Sequence, residues 1–263
     1  MISLFTIWYF YYILFLNNEI KVHKKWLIYL IKLIESDEKI GMVGSKVVYP
    51  NGQLQEAGGI VWNNGEYYNY GRGNNFDMPE YNYVKEVDYI SGASILIRKM
   101  IWEKIGGLDV RYFSSFYGDI DFAFKLRSFG YKIMFQPKSI VENYNGISFG
   151  NILSTDIKKF QIINKQKFVK KWNEELKLQK RKGNVFLSRD RGYNRIFVID
   201  DYVPNIDKNA GNRCTFMYLN LFKEIGLQVT FLSDNFEKIE PYTSILEQKG
   251  IEVFIKGASE FVG

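Results

Sequence analysis

The chain has 263 residues, a formal net charge of +6, one cysteine and one histidine. The lone Cys214 excludes an internal disulfide framework, and the lone His23 excludes both a histidine-based metal site and a Ser-His-Asp triad. A hydrophobic fraction of 46% is enough for a sizeable buried core, and the length allows two domains. These features predict a folded protein of a reducing compartment, so the expected location is the cytoplasm.

The first predicted element is the apolar run at residues 2–16, which ends in Asn17, Asn18 and Glu19. The run is shorter than the about twenty residues that a membrane-spanning helix needs, and its β-branched and aromatic content favours a buried strand over a signal anchor. A strand that ends in oxygen ligands is typical of a phosphate-and-metal site at the carboxyl edge of an α/β sheet. The three polar residues are therefore candidates for such a site.

The next elements alternate between helix and strand. The segment KKWLIYLIKLIESDE has apolar residues at helical spacing, GMVGSKVVYP reads as a strand, and Asn51 with Gly52 marks a turn. The tyrosine- and asparagine-rich stretch at residues 63–83 predicts an irregular excursion near a cleft. Its rings would stack on sugar faces or would simply stabilise the loop, and the sequence does not choose between these two readings.

Two carboxylates, Asp119 and Asp121, stand at the head of an amphipathic helix, directly after an aromatic-rich loop. The backbone amides and positive dipole of a helix start hold a carboxylate ionised and fixed in direction, which suits a general base aimed into a cleft. The simpler alternative is a helix N-cap for one and a first-turn carboxylate for the other.

The last third of the chain begins with an amphipathic helix in which Phe160, Ile163, Phe168 and Trp172 are expected to pack on the first domain. Residues 173–194 predict a basic linker. Residues 195–263 then alternate strand, helix, strand, helix and strand, which predicts the start of a parallel α/β sheet. The basic residues would form a solvated face or would attract the chain to an anionic membrane surface, and no nucleic-acid-binding motif accompanies them.

Several segments in order resemble family 2 inverting glycosyltransferases of the GT-A fold. They are LFLNNEI, GMVGSKVVYPNGQLQEAGGIVW, VDYISGASILIRK, IGGLDVRYF, YGDIDFAFKLRSFGYK and NYNGISFG. The resemblance covers residues 11–172 and implies the second half of a GT-A domain. Residues 195–263 resemble the beginning of a GT-B glycosyltransferase domain. The implied fold class is α/β: a partial GT-A mixed sheet at residues 1–172, the linker at 173–194, and an incomplete Rossmann-like domain at 195–263.

The resemblance implies transfer of a sugar, with inversion, from a nucleotide-sugar donor to a saccharide or lipid-linked acceptor in cell-surface polysaccharide synthesis. Asp119 would be the base, with Asp121 beside it, and Glu19 and Asn143 would bind Mg²⁺ or Mn²⁺. The implied cofactor-binding residues are Asn17 and Asn18, and the implied acceptor-binding residues are Asp88, Gly92 and Ala93.

Three departures from the family pattern fall in this machinery. Glu19 replaces the usual Asp, Gly118 replaces the usual Glu beside the base, and Asn143 replaces the usual His. About ten residues precede the metal-motif strand, so the chain would lack the nucleotide-binding surfaces of the family. Three outcomes are expected to compete: a transferase that pairs with a separate nucleotide-binding half, an inactive remnant of a split gene, and a carbohydrate-binding module. Peripheral association with the inner face of the membrane would accompany a lipid-linked acceptor.

Overall fold

A computed structural model of the protein describes residues 11–112, 116–144, 155–191 and 194–255, without the side chains of residues 155–158. The strands within these ranges are β1 Tyr12–Leu16, β2 Ile20–Val22, β3 Ile40–Val48, β4 Leu54–Glu56, β5 Gly59–Val61, β6 Tyr67–Asn69, β7 Lys85–Glu86, β8 Ser94–Arg98, β9 Lys132–Asn143, β10 Arg195–Asp200, β11 Gln228–Ser233 and β12 Ile251–Phe254. The α-helices are α1 Trp26–Glu35, α2 Lys99–Ile105, α3 Gly118–Ser128, α4 Thr155–Lys171, α5 Asn173–Lys177, α6 Val185–Ser188, α7 Ala210–Glu224 and α8 Tyr242–Gln248. Short 3₁₀ turns lie at Pro79–Tyr81 and Val110–Tyr112.

The larger sheet is mixed and has the strand order β1-β8-β3-β9-β2, with β4 on β3 and β7 on β9. Strand β3 runs parallel to β9 and antiparallel to β8. All nine residues of β3 are buried, because Met42 belongs to the core on one face of the sheet and Val43 to the core on the other. This arrangement confirms the predicted mixed α/β sheet.

Strand β1 is an edge strand, and this corrects the expectation of a buried one. Its pairing within the described residues is with β8 alone, and Leu14 and Leu16 are 39% and 41% exposed. Residues 1–10, which open the predicted apolar run, lie outside the described residues. In the part of the chain that the structure describes, no helix is both long and apolar enough to cross a membrane.

Helices cover the two faces of the larger sheet. Helix α1, predicted from its apolar spacing, buries Leu30 and Ile34 against β3 and β9 on one face. Helices α2 and α3 contribute to the larger core on the other face. Helix α4 packs on that core through Phe168 and Val169, and Trp172 directly after the helix packs there as well, whereas Phe160 and Ile163 are 48% and 44% exposed. The predicted packing face is thus confirmed for the last two turns of the helix and wrong for the earlier ones.

The smaller sheet contains β10, β11 and β12, all parallel, with α7 and α8 as the connecting helices. Its core consists of apolar side chains from both the strands and the helices, among them Leu219 of α7, Phe231 of β11 and Leu246 of α8. The element order is the one predicted for residues 195–255. A parallel sheet needs such crossover helices, because consecutive parallel strands cannot be joined by a tight turn.

The predicted basic linker contains residues that are fully enclosed. Arg189 is 1% exposed and forms an ion pair with Glu252 of β12. Asp190 accepts hydrogen bonds from the Tyr83 hydroxyl at 2.8 Å and from Arg195 at 2.6 Å. Buried charges need such partners because the loss of hydration costs several kcal/mol per ion. The segment therefore connects the two sheets by buried ion pairs, which a solvated linker would not do.

Candidate active site

A cavity of about 820 Å³ opens on the side of the larger sheet that carries α3. Asp119 and Gly118 line it from the first turn of that helix, and Ser91 and Gly92 line it from the segment before β8. Much of the remaining wall is aromatic: Phe15, Tyr49, Tyr67, Tyr68, Tyr89, Tyr112, Phe116, Tyr117 and Phe122. Sugar rings have apolar faces and hydroxyl edges, so a cavity of tyrosines around a carboxylate is chemically suited to them.

The backbone before Asp119 is held in an unusual conformation. Phe116 and Tyr117 have φ of 48° and 76°, which is rare for residues with side chains. The Tyr117 hydroxyl donates to the Gly65 carbonyl at 2.9 Å, and its ring packs edge-on against Tyr67 with centroids 5.3 Å apart. Strained positions persist only where their surroundings hold them firmly. The contacts of Tyr117 thus fix the direction in which helix α3 begins.

The Asp119 carboxylate is held by backbone amides. Oδ2 accepts from the Gly92 N–H at 3.1 Å and Oδ1 accepts from the Ile120 N–H at 2.9 Å. Burial raises the pKa of the Asp119 carboxyl, and the amide hydrogen bonds oppose part of that rise. A raised pKa brings a carboxylate closer to the range in which it can accept a proton from a reacting hydroxyl. Of the two predicted catalytic carboxylates, the structure places this one in the cavity.

Asp121 lies on another face of the same helix and does not line the cavity. Its side chain is 0% exposed, with Oδ1 accepting from Trp172 Nε1 at 2.7 Å and Oδ2 from Lys171 Nζ at 2.8 Å. These contacts join α3 to the end of α4. The placement assigns Asp121 to packing between helices rather than to proton transfer.

The three predicted acceptor-binding residues separate in the structure. Gly92 lines the cavity. The Ala93 carbonyl accepts the Asn17 N–H at 3.0 Å. Asp88 lies outside the cavity, where Oδ2 accepts from the Val61 N–H and Oδ1 binds Arg127 and Arg191. With both oxygens occupied by the protein, Asp88 is not placed to bind an acceptor.

The predicted metal-site residues come from neighbouring chain segments. Ile20 of β2 pairs in register with Asn143 of β9, and the Glu19 carbonyl accepts the Tyr144 N–H at 3.1 Å. Asn17 Oδ1 accepts the Glu19 N–H at 3.3 Å. Glu19 is exposed, and neither it nor Asn143 lines the cavity of Asp119. The bond from Asn17 to Ala93 connects this loop to the segment that carries Gly92.

These residues make a poor set of donors for a resident divalent cation. Mg²⁺ demands about six oxygen ligands and is usually bound through one or two carboxylates together with waters and substrate phosphates, rather than by protein side chains alone. Here Glu19 is the one carboxylate that the prediction offers, and the neighbouring Glu142 is already bound to Lys21, His23 and Tyr144. Within the described ranges, no group of three or more His, Cys, Asp or Glu side chains could hold a metal ion.

Two cavity features were missed by the sequence analysis. Arg72 lines the cavity as a cationic side chain among its described walls. Glu56 lies beneath the cavity with 0% exposure, where it accepts the Ser91 N–H at 2.9 Å. Glu56 lies in GMVGSKVVYPNGQLQEAGGIVW, one of the segments that resemble family 2 glycosyltransferases, and this position was the sequence signal that could have indicated it. Arg72 carried no signal beyond its position in the tyrosine-rich excursion.

No protein-family model matches this chain. Among curated proteins, the chain is 24% identical over 143 residues to the uncharacterized protein y4gI of Sinorhizobium fredii, a match that covers 51% of this chain and 15% of that protein. It is 27% identical over 133 residues to the O-antigen biosynthesis protein RfbC of Myxococcus xanthus, covering 46% of this chain and 10% of that protein.

Among solved structures, the chain is similar to the crystal structure of GalNAc-T7 with UDP, GalNAc and Mn²⁺. The TM-score is 0.47 and the identity 16%, over 63% of this chain and 32% of that one. The matched part of this chain therefore spans a small share of each sequence relative and about a third of the solved protein. One of the two sequence relatives carries a name that refers to O-antigen biosynthesis.

Proposed function

We propose that this chain carries the acceptor half of a glycosyltransferase site of the GT-A type, with Asp119 as its general base. The observation that carries the proposal is the placement of Asp119: an amide-held carboxylate of raised pKa at the wall of a tyrosine-lined cavity. The sequence landmarks of family 2 glycosyltransferases and the O-antigen name of one relative support the same reading. Cell-surface polysaccharide synthesis is the proposed setting.

The proposed reaction is a direct displacement. An acceptor hydroxyl attacks the anomeric carbon of a nucleotide-sugar, its oxygen forms the new glycosidic bond, and the bond to the diphosphate oxygen breaks with its electron pair. Asp119 takes the hydroxyl proton as the new bond forms, since a free sugar alcohol is far too weak an acid to give it up earlier. Attack opposite the leaving group inverts the anomeric centre.

The remaining roles follow from positions in the cavity. The tyrosine rings would hold the sugar faces, and Arg72 would attract the negative charge of the donor or of an acidic acceptor. Asn17, Asn18 and Glu19 do not line the cavity, but Asn17 is hydrogen-bonded to Ala93 next to the lining residue Gly92, so a diphosphate at that side of the cavity would meet them. Mg²⁺ or Mn²⁺ at Glu19 and Asn143 would need most of its ligands from that diphosphate or from a second chain, so no step of the proposed reaction depends on it.

A carbohydrate-binding module is the second candidate, because the aromatic wall would hold a saccharide even without chemistry. The two functions differ in their dependence on nucleotide. A module would bind oligosaccharides equally well with and without a nucleotide-sugar, whereas a transferase half would bind the acceptor and release a nucleoside diphosphate.

The test is transfer from a panel of UDP-, GDP- and dTDP-sugars to oligosaccharides and to polyprenyl-phosphate-linked saccharides, followed by mass spectrometry. We expect product with the wild type and a loss of about 10²- to 10⁴-fold in Asp119→Asn, the usual contribution of a general base. Asp234→Asn, an exposed aspartate of the smaller sheet region, is the matched control and should retain the wild-type rate. Equal rates in Asp119→Asn and the wild type would remove Asp119 from the role of base.

Cytoplasmic location with peripheral membrane association is part of the proposal. Several basic side chains near the predicted linker are already paired: Lys165 and Lys182 with Glu66, and Lys177 with Glu174. Charge attraction to anionic lipid is therefore expected to be modest. Sedimentation with vesicles of phosphatidylglycerol, compared with phosphatidylcholine vesicles, measures it.

A further inference from the structure

A second carboxyl group lies directly behind the segment that holds Asp119. Glu56 is the last residue of β4, and its side chain is 0% exposed. Its Oε1 accepts the Ser91 N–H at 2.9 Å, while Oε2 has no hydrogen-bond partner among the described residues. An ionised carboxylate with a bare oxygen in such a place is costly, so the neutral acid is the favoured form.

The peptide that follows Ser91 connects this group to the base. The Ser91 N–H points to Glu56 and the next amide, that of Gly92, points to Asp119 Oδ2 at 3.1 Å. Two successive backbone amides thus donate hydrogen bonds to two different carboxyl groups, Glu56 and Asp119. Because the two amides are adjacent in the chain, a displacement of one carboxyl group also displaces the amide that is bound to the other carboxyl group.

We propose that Glu56 is a positioning residue for Asp119, which in its neutral form fixes the Ser91–Gly92 peptide so that the Gly92 amide stays on the base. This inference rests on the proposed function, because it assigns to Glu56 a role in the reaction of Asp119. Ionisation of Glu56 adds a second negative charge behind the base and disturbs the same peptide.

The groups around Glu56 agree with a neutral form below about pH 7. The pKa of Glu56 is raised to about 7, mainly by burial and also by the charge of Asp119, while the backbone amide and hydroxyl of Ser91 and the charge of Arg72 act in the opposite direction. Tyr67 and Tyr89 also face it from β6 and from the segment before β8, and both have raised pKa values, so they stay neutral over the same range. These two tyrosines therefore contribute no change of charge near neutrality.

Amide NMR of the ¹⁵N-labelled full chain tests the connection without any substrate. Over a titration from about pH 4.5 to about pH 8.5, Ser91 should follow one transition near pH 7, and Gly92 should show a smaller transition that coincides with that of Ser91 in addition to the one from Asp119. Glu56→Gln keeps an oxygen for the Ser91 amide and should remove the transition near pH 7 from both residues. Asp119→Asn should move the Ser91 midpoint to lower pH.

Glu80→Gln is the matched control, since Glu80 is a half-buried glutamate whose pKa is also raised by burial. It should leave both amide titrations unchanged. A Gly92 amide with no transition near pH 7, or one whose transition persists in Glu56→Gln, would overturn the inference.

Transfer rates give the second readout. The wild-type kcat should fall by up to about tenfold for each pH unit above about pH 7, while Glu56→Gln should stay flat over that range. A parallel fall in both proteins counts against Glu56. If the wild type transfers no sugar at all, the proposed function fails, and the amide titration still decides whether Glu56 is coupled to Asp119.

Discussion

Two edges of the proposed site differ in how they are built. At the Asp119 edge, a carboxylate is held by two amides, supported by a strained aromatic turn and backed by a buried Glu56. At the Glu19 edge, the carboxylate is exposed, and its amide-bearing neighbours are Asn17, which accepts the Glu19 N–H, and Asn143, which pairs with the adjacent Ile20. Burial shifts the pKa of a carboxyl group and fixes its direction, so the proposed site is better defined at the carboxylate proposed as base than at the residues proposed to bind a cation.

The largest expected effect is on the transfer rate, which should respond very differently to substitutions at the two edges. Asp119→Asn should lower transfer by about 10²- to 10⁴-fold, and Glu19→Gln by less than about tenfold, because an exposed side chain that lacks fellow ligands contributes little. Steady-state rates of the two variants with one donor and one acceptor measure the ratio. A Glu19→Gln loss as large as that of Asp119→Asn would show that both edges are needed equally.

The second prediction concerns stability at the packed face of α3. Asp121→Ala leaves the Trp172 N–H without its buried acceptor, while Lys171 keeps its second carboxylate partner Asp109, so we expect a loss of about 1–3 kcal/mol. Glu19→Ala, on the exposed loop, should change the free energy of unfolding by less than about 0.5 kcal/mol. Urea unfolding followed by tryptophan fluorescence compares the two. A small loss for Asp121→Ala would mean that its charge is better hydrated than its burial indicates.

The third prediction uses the raised pKa of Glu56. In the unfolded chain its pKa lies near 4.5 and in the folded chain at about 7, so the folded state binds the proton more tightly. The stabilisation is present below pH 4.5 and is lost as pH rises through 7, by roughly 3 kcal/mol. Glu56→Gln lacks this loss. Urea unfolding at about pH 5 and about pH 8 should therefore show a smaller decline for Glu56→Gln than for the wild type.

The smallest expected effect is metal binding by the chain alone. With Glu19 as the one predicted carboxylate, calorimetric titration of Mn²⁺ should give a dissociation constant of about 1 mM or weaker. Glu19→Ala should change this value by less than about threefold. Tight binding by the wild type, lost in Glu19→Ala, would overturn the description of this edge as a poor site.

The sequence predicted the elements that depend on local pattern. The strands β1 and β3, helix α1, the start of α3 at Asp119 and the alternating elements of residues 195–255 follow from apolar spacing and helix-start signals. The sequence could not show which face of α3 each carboxylate would occupy, because the partners of Asp121 lie fifty residues away at Lys171 and Trp172. The sequence likewise could not show that Asp88 is bound by the protein itself, because its partner Arg191 is 103 residues away in the chain.

The prediction of a solvated basic linker was wrong for a related reason. Its charge pattern is typical of a solvated linker, yet burial was decided by partners on other elements, Glu252 for Arg189 and Tyr83 for Asp190. Edge position likewise decided the exposure of Leu14 and Leu16, which composition alone assigned to a buried strand.

The ion pairs at Arg189 and Asp190 also bear on how this protein can be shortened for study. Removing everything after residue 194 would take away Glu252 and Arg195 and leave the charges of Arg189 and Asp190 with fewer counter-charges. Expression of the first 194 residues alone should thus yield a less soluble product than the full chain. Heating the intact protein should melt both sheets together, as a single cooperative event.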